Sequence, residues 1–255
     1  MRALFLRGLT REIAHWNGLP ELFFEKTKIP ILSLDLPGAG MFHEMTSPRD
    51  LDSYVEFLRQ KVGKGDPLIL IGISMGGMIA LRWSLLYPDE VCSVFTINSS
   101  AKNLSGPLKR FNLKEWRVLL EILLTKTVEK KEGLILNLTT NKLDSQKKAE
   151  IQKLFVCIQS ERPVSILSSL NQLYAASTFR ITERPKVPVM VIYSKGDRLV
   201  DSSCSEELVK LLGASKAVHP DAGHDLPLDD PQWLLSELAK LSLIHISEPT
   251  RLWHI

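Results

Sequence analysis

Along most of the chain, short apolar runs such as Leu68-Ile69-Leu70-Ile71 alternate with longer amphipathic segments. That alternation predicts strands at Ala3–Leu6, Pro30–Leu34, Leu68–Ile71, Val91–Ile97, Val187–Tyr193 and Ser215–Val218. Between them, Asp52–Lys61, Met75–Leu86, Ser205–Leu212 and Trp233–Leu241 read as helices, with Pro48, Pro88, Gly213 and Pro231 punctuating their ends. The expected fold class is α/β: a mostly parallel, doubly wound sheet covered by helices on both faces.

The alternation breaks between Ala101 and Pro185, where no strand pattern occurs. Helical periods run instead through Trp116–Leu124, Lys148–Ile158 and Val164–Ala176. This stretch is far longer than an ordinary strand-to-strand connection, which favours an insertion over the C-terminal edge of the sheet rather than helices that simply complete the core. The expected organisation is a core of residues 1–100 and 186–240 with a helical insertion at 101–185. The end of the chain, from Leu241-Ser242-Leu243-Ile244-His245 to Ile255, resembles the in-frame translation of a sequencing-library adapter. Residues 241–255 are therefore read as an artefactual tail, and His245 and His254 with them.

Composition narrows the partners. A length of 255 residues suits one domain with a substantial core, or one carrying a lid. The formal net charge of +3 is too small to suggest a nucleic-acid binder, and the basic residues between Lys126 and Lys153 are interleaved with acidic ones. Three widely spaced cysteines (Cys92, Cys157 and Cys204) give neither a disulfide framework nor paired metal-ligand spacing. No signal-peptide pattern opens the chain, and no apolar stretch approaches the roughly 18 residues needed to cross a bilayer. The expectation is a cytoplasmic protein with no stable membrane insertion. Composition does not constrain the oligomeric state.

The candidate chemistry lies in Gly72-Ile73-Ser74-Met75-Gly76. A serine hydroxyl is a weak nucleophile at neutral pH. It needs a base within hydrogen-bond reach, and the base needs an acid to orient it. The G-x-S-x-G pattern holds serine on a sharp strand-to-helix bend, where its glycines remove side chains that would collide with the neighbouring strand and helix. Here an apolar strand precedes it and a helix with Gly76, Gly77 and Ala80 on its first turns follows it. The acid and base are expected downstream, in that order. Asp197 lies in the loop leaving the Val187–Tyr193 strand and is preferred to Asp201. His224, beside Gly223 after the last strand, is the expected base, whereas His219 ends that strand; His15 and His43 lack a matching position. The expected oxyanion donors are the backbone N–H groups of Met75, at a helix N-terminus, and Leu9, in the loop after the first strand.

These segments resemble those of the α/β-hydrolase superfamily, in particular its small bacterial esterase-like members. The resemblance runs from Ala3 to about Lys240 in the core elements. Gly72–Gly76, Gly196-Asp197 and Gly223-His224 match the nucleophile, acid and base segments. Asp35-Leu36-Pro37-Gly38-Ala39-Gly40 resembles the family's structural D-x-P-G-x-G turn. Arg7 stands where the family's first loop carries histidine. The family also has two further strands ahead of the first one here, which implies a reduced sheet or a lost N-terminus. In that family residues 101–185 correspond to a variable cap.

A serine nucleophile implies acyl transfer to water and argues against the family's dehalogenases, which attack with aspartate. No metal-ligand cluster or cofactor motif is evident, so no cofactor is expected. Trp116, Leu119, Leu120, Leu123 and Phe155 either line an acyl pocket or form the core of the cap itself. The expected substrate is a small acyl or alkyl ester. A thioesterase or carbon–carbon bond hydrolase would use the same triad, and a non-catalytic binding protein could use the same scaffold.

Overall fold

The structure is a computed structural model that describes residues 1–247. Apart from the backbone that extends the last helix to Ser247, the tail set aside above lies outside the described residues. The first half of the chain runs β1 (Arg2–Leu6), α1 (Leu19–Thr27), β2 (Ile31–Ser33), α2 (Leu51–Val62), β3 (Leu68–Ile73), α3 (Met75–Leu86) and β4 (Val91–Ile97). Five helices follow: α4 (Pro107–Arg110), α5 (Trp116–Leu124), α6 (Val128–Thr139), α7 (Ser145–Glu161) and α8 (Ile166–Thr178). The chain then re-enters the sheet with β5 (Val189–Ser194), α9 (Ser203–Leu212), β6 (Ser215–His219), α10 (Leu226–Asp229) and α11 (Pro231–Ser247).

All six expected strands form, and every pairing is parallel in the order β2-β1-β3-β4-β5-β6. Side chains of a strand alternate between faces, so each interior strand feeds two cores. In β3, Leu68 and Leu70 join one cluster with α2, α3 and α9, while Ile69, Ile71 and Ile73 join another with α1 and α11. Full burial of each such side chain contributes about 1.5–3 kcal/mol. This two-sided burial explains why the strands read as continuous apolar runs rather than alternating ones.

The strand order reverses between β1 and β3. In open α/β sheets a crevice opens at such a point, outside the carboxyl ends of the strands. The loop after β1 and the bend after β3 therefore flank one opening. Helices α4–α8 lie between β4 and β5 in sequence, and among the described residues that stretch contains no strand. A small core of their own, Leu136, Ile151, Phe155 and Ile158, is closed by Leu228 from α10. Among the described residues, no helix is long and apolar enough to cross a membrane.

Four helices fall outside the elements expected from the apolar pattern: α1, α6 and the single turns α4 and α10. Gly133 falls within α6 and weakens its intrinsic propensity. A Cβ at that position would sit 2.9 Å from Nε2 of Gln152 on α7, the movable end of a flexible side chain, so the contact does not by itself demand the glycine.

Candidate active site

Ser74 occupies the single residue between β3 and α3, at φ 55° and ψ −119°. A positive φ is strained for any residue with a Cβ, and here it is enforced from both sides. The Ser74 N–H donates to the Ile97 carbonyl at 2.8 Å, and its own carbonyl accepts from Gly77 and Met78. The flanking glycines are required by contact. A Cβ on Gly72 would lie 2.2 Å from the Gly76 carbonyl oxygen, and one on Gly76 would lie 2.1 Å from the Leu6 carbonyl oxygen of β1. The helix can thus approach the sheet only because both positions lack a side chain.

His224 follows β6 in a loop, and its Nδ1 shares a 2.7 Å hydrogen bond with Oδ2 of Asp197. Both residues are buried. The other carboxylate oxygen of Asp197 accepts the backbone N–H groups of Leu199 and Val200, at 2.8 and 2.9 Å, which fixes the carboxylate plane. Asp201, the rival acid, instead accepts the Ser203 N–H near the start of α9. His219 ends β6: its Nδ1 accepts the Ala222 N–H and its Nε2 pairs with Asp230. Burial pulls the His224 pKa down, but the charge and hydrogen bond of Asp197, with Asp225 behind them, outweigh it and leave the pKa above its ordinary value. His15 moves the other way. Burial, then the charges of Arg11 and Arg7, hold it well below the ordinary value, as suits a structural neutral imidazole.

Ser74 and His224 share the wall of one cavity of about 260 Å³. Ser74 also lines a second cavity of about 340 Å³, whose wall includes Met78, Arg110 and Val200 but not His224. Leu9, Phe111, Leu173 and Leu199 border both. Leu119 and Leu123 line the first cavity, whereas Phe155 is packed in the core of α6 and α7. Trp116 and Leu120 border a separate surface groove along α5, about 620 Å³, that none of the site residues touches. Of the five apolar positions left open by the sequence, two therefore face the site and one is core. Among the described residues, no three His, Cys, Asp or Glu side chains cluster as a metal site would.

The loop after β1 lies directly over Ser74. A Cβ on Gly8 would come within 3.0 Å of the Ser74 Cβ. Beyond Leu9 each amide of this loop is engaged. Thr10 donates to Oε1 of Gln172, Arg11 to the Gly8 carbonyl, Glu12 to Nδ1 of His15 and Ile13 to Oδ1 of Asp35. Asp35 is thus structural, as its turn motif implied. Met75 opens α3, where amides have no intrahelical acceptor.

Three residues that sequence reasoning did not single out organise the loops. Asn98, at φ 47°, donates to the His224 carbonyl at 2.8 Å and accepts the Ser194 N–H, so one amide joins the ends of β4 and β5 to the histidine loop. Gln172 joins α8 to the loop after β1. Asp225, next to His224, makes a buried bidentate pair with Arg7 at 3.1 and 2.7 Å. The Arg7 guanidinium also sits over the Trp16 ring, 4.9 Å from its centre. The residue in the place of the family's histidine is therefore a strut between the first loop and the histidine loop. An Asn at a strand end at Asn98, and an acid beside the histidine at Asp225, were the available signals.

Comparison with known proteins agrees with this architecture. The family model described as "alpha/beta hydrolase fold" matches residues 4–231. The chain is 25% identical over 249 residues to "Monoacylglycerol lipase ABHD6" of Mus musculus, covering 90% of this chain and 71% of the relative. It is 27% identical over 258 residues to "Putative carbamate hydrolase RutD" of Escherichia coli O26:H11, covering 96% and 93%. Among solved structures, an esterase of Exiguobacterium antarcticum superposes with a TM-score of 0.75 at 17% identity, covering 95% of this chain and 92% of that one. The chain belongs to the α/β hydrolase fold family.

Proposed function

We propose that this protein is a serine hydrolase that cleaves a carboxylic ester through an acyl-enzyme. The observation that carries the reading is the 2.7 Å His224–Asp197 bond beside a cavity whose wall also holds Ser74. With Nδ1 engaged by Asp197, the neutral imidazole presents Nε2 as its basic nitrogen. His224 takes the Ser74 proton as the hydroxyl oxygen attacks the ester carbonyl. The N–H groups of Leu9 and Met75 stabilise the tetrahedral oxyanion. As the intermediate collapses, the carbon–oxygen bond to the alcohol breaks, and His224 gives its proton to that oxygen. Water, activated by the same histidine, then attacks the acyl-enzyme and releases the acid and Ser74. Asp197 holds the imidazole tautomer throughout.

Helices α4–α8 act as a cap over the opening. The three cysteines are free thiols, consistent with a cytoplasmic setting. A fluorophosphonate probe is expected to label the wild-type protein covalently and to leave Ser74→Ala unlabelled. Equal labelling of both proteins, or none of a folded wild type, would sink the reading. A panel of p-nitrophenyl esters then tests ester cleavage directly. The similarity to a protein named for carbamate hydrolysis makes the corresponding carbamates the natural second panel, since the same nucleophile would attack either carbonyl.

A further inference from the structure

The two cavities that meet at Ser74 differ in how they lie against the proposed base. Only the smaller one is bordered by His224. The group that departs must take its proton from His224, so the alcohol belongs on that side and the acyl chain in the 340 Å³ cavity. This assignment rests on the serine-hydrolase reading above.

The acyl cavity is mostly apolar, with Met78, Phe111, Leu173 and Val200 among its walls, yet it also holds Arg110. Arg110 is half-buried, and its guanidinium makes three hydrogen bonds. Nε donates to the Ser100 hydroxyl at 3.1 Å, and the two terminal nitrogens donate to the carbonyls of Ser177 and Ala176, at 2.8 and 2.6 Å. These carbonyls close the last turn of α8, where a cation is favoured. A guanidinium has five N–H groups, so two remain. No ion pair with a carboxylate is formed by Arg110 among the described residues. Burial lowers its pKa from the ordinary arginine value, offset only by the Cys204 thiol. Partly desolvated charge without a counter-ion is costly, and a bound anion would relieve that cost.

A second observation points the same way. Residues 101–185 carry 15 Lys and Arg against eight Asp and Glu, leaving 17 and 21 for the rest of the chain. This segment, which supplies Lys102 and Arg110 to one cavity wall and Lys131 to the other, is thus net positive, and such a field would steer anions toward it.

We propose that Arg110 determines specificity by binding a carboxylate on the acyl chain, so that the preferred substrates are monoesters of dicarboxylic acids. Arginine suits this task because its planar fork can meet both oxygens of a carboxylate.

The test compares monomethyl esters of dicarboxylic acids, from succinate to suberate, with methyl esters of monocarboxylic acids of the same chain length. The wild type is expected to show kcat/KM at least about tenfold higher for the charged member at one or more lengths. Arg110→Met should abolish that preference, bringing the charged-to-neutral ratio of kcat/KM to about one, and Arg110→Lys should retain part of it. Thermal melting shows whether each variant keeps the fold at the end of α8. If Arg110→Met does not fold, Arg110→Lys alone decides, by lowering the ratio or leaving it intact. Calorimetric binding of monomethyl adipate and methyl hexanoate to Ser74→Ala reads the site without turnover, and monomethyl adipate should bind more tightly. Neutral esters preferred at every length, or a charged-ester preference that survives both substitutions, would overturn the proposal while fluorophosphonate labelling of Ser74 persists. Loss of that labelling would instead bring down the hydrolase reading and the acyl-side assignment together.

Discussion

The side-chain oxygen of Gln172 accepts the Thr10 N–H at 2.7 Å, across 162 residues of sequence. Gln172 is almost fully buried on α8, and its amide nitrogen donates to the Ser47 hydroxyl. Thr10 has φ 56°, a strained value that this bond helps to hold. The adjacent Leu9 amide is the proposed oxyanion donor, so the helix orients the donor through one hydrogen bond. Gln172→Leu is expected to cost about 1 kcal/mol of stability by leaving a part-buried donor unpaired. It should also lower kcat about tenfold to a hundredfold with little change in KM, because the oxyanion contact tightens only in the transition state. Gln172→Glu keeps an acceptor and should lose less. Steady-state kinetics on a p-nitrophenyl ester, with a melting curve for each variant, measure both effects.

Arg7 and Asp225 form a second strut, with side chains only 4% and 8% exposed. Removing one member of such a pair strands the other charge in the interior. Arg7→Met is expected to destabilise the fold by about 3–5 kcal/mol, and adding Asp225→Asn should recover much of that loss. Denaturant unfolding of the two single variants and the double variant gives the coupling. Additive losses would mean that the pair does not act as a unit.

Asp197→Asn separates orientation from structure. Its Oδ1 can still accept the Leu199 and Val200 amides, so the fold should melt nearly as the wild type does. The amide that replaces Oδ2 favours the wrong imidazole tautomer, and kcat should fall by roughly ten-thousandfold. A loss of less than tenfold would argue that His224 is not the base.

The pH profile follows from His224. Burial opposes its charge, but Asp197 and Asp225 outweigh burial and Arg7, so its pKa lies above the ordinary 6.5. The base works only when neutral. Activity should therefore rise with pH, with the midpoint of the acid limb above 6.5. Replacing Asp197 with Asn should move that limb to lower pH. Stability runs the opposite way. A raised pKa in the folded state favours folding while the imidazole is protonated in both states, and this contribution disappears as pH rises through the folded-state value. Measuring kcat/KM for a neutral ester between about pH 5 and 9 locates the limb.

The sheet and the Ser74 bend were legible because their signals are local. Leu68–Ile71 is apolar throughout, and Gly72 and Gly76 stand at fixed offsets around the serine. Asp197 and His224 were legible by position, each following a strand. The supporting contacts were not, because each joins residues far apart in sequence: Arg7 with Asp225, Thr10 with Gln172, Asn98 with His224. Periodicity found α5 but could not say which of its apolar residues faces the site. Leu119 and Leu123 reach the cavity, while Trp116 and Leu120 line the outer groove.

The loop that follows β1 draws its distant partners from α6, the α7–α8 region and the histidine loop. Arg11 pairs with Glu132, the Thr10 carbonyl accepts from Gln159, Glu12 binds Arg162, Thr10 binds Gln172 and Arg7 binds Asp225. A growing polypeptide emerges with this loop first and its last partner some 218 residues later. Strands can pair and helices can dock while the loop still lacks its anchors. For the proposed reaction, competence therefore arrives near the end of synthesis, and a nascent or clipped chain ending before α8 would hold Ser74 without the means to use it.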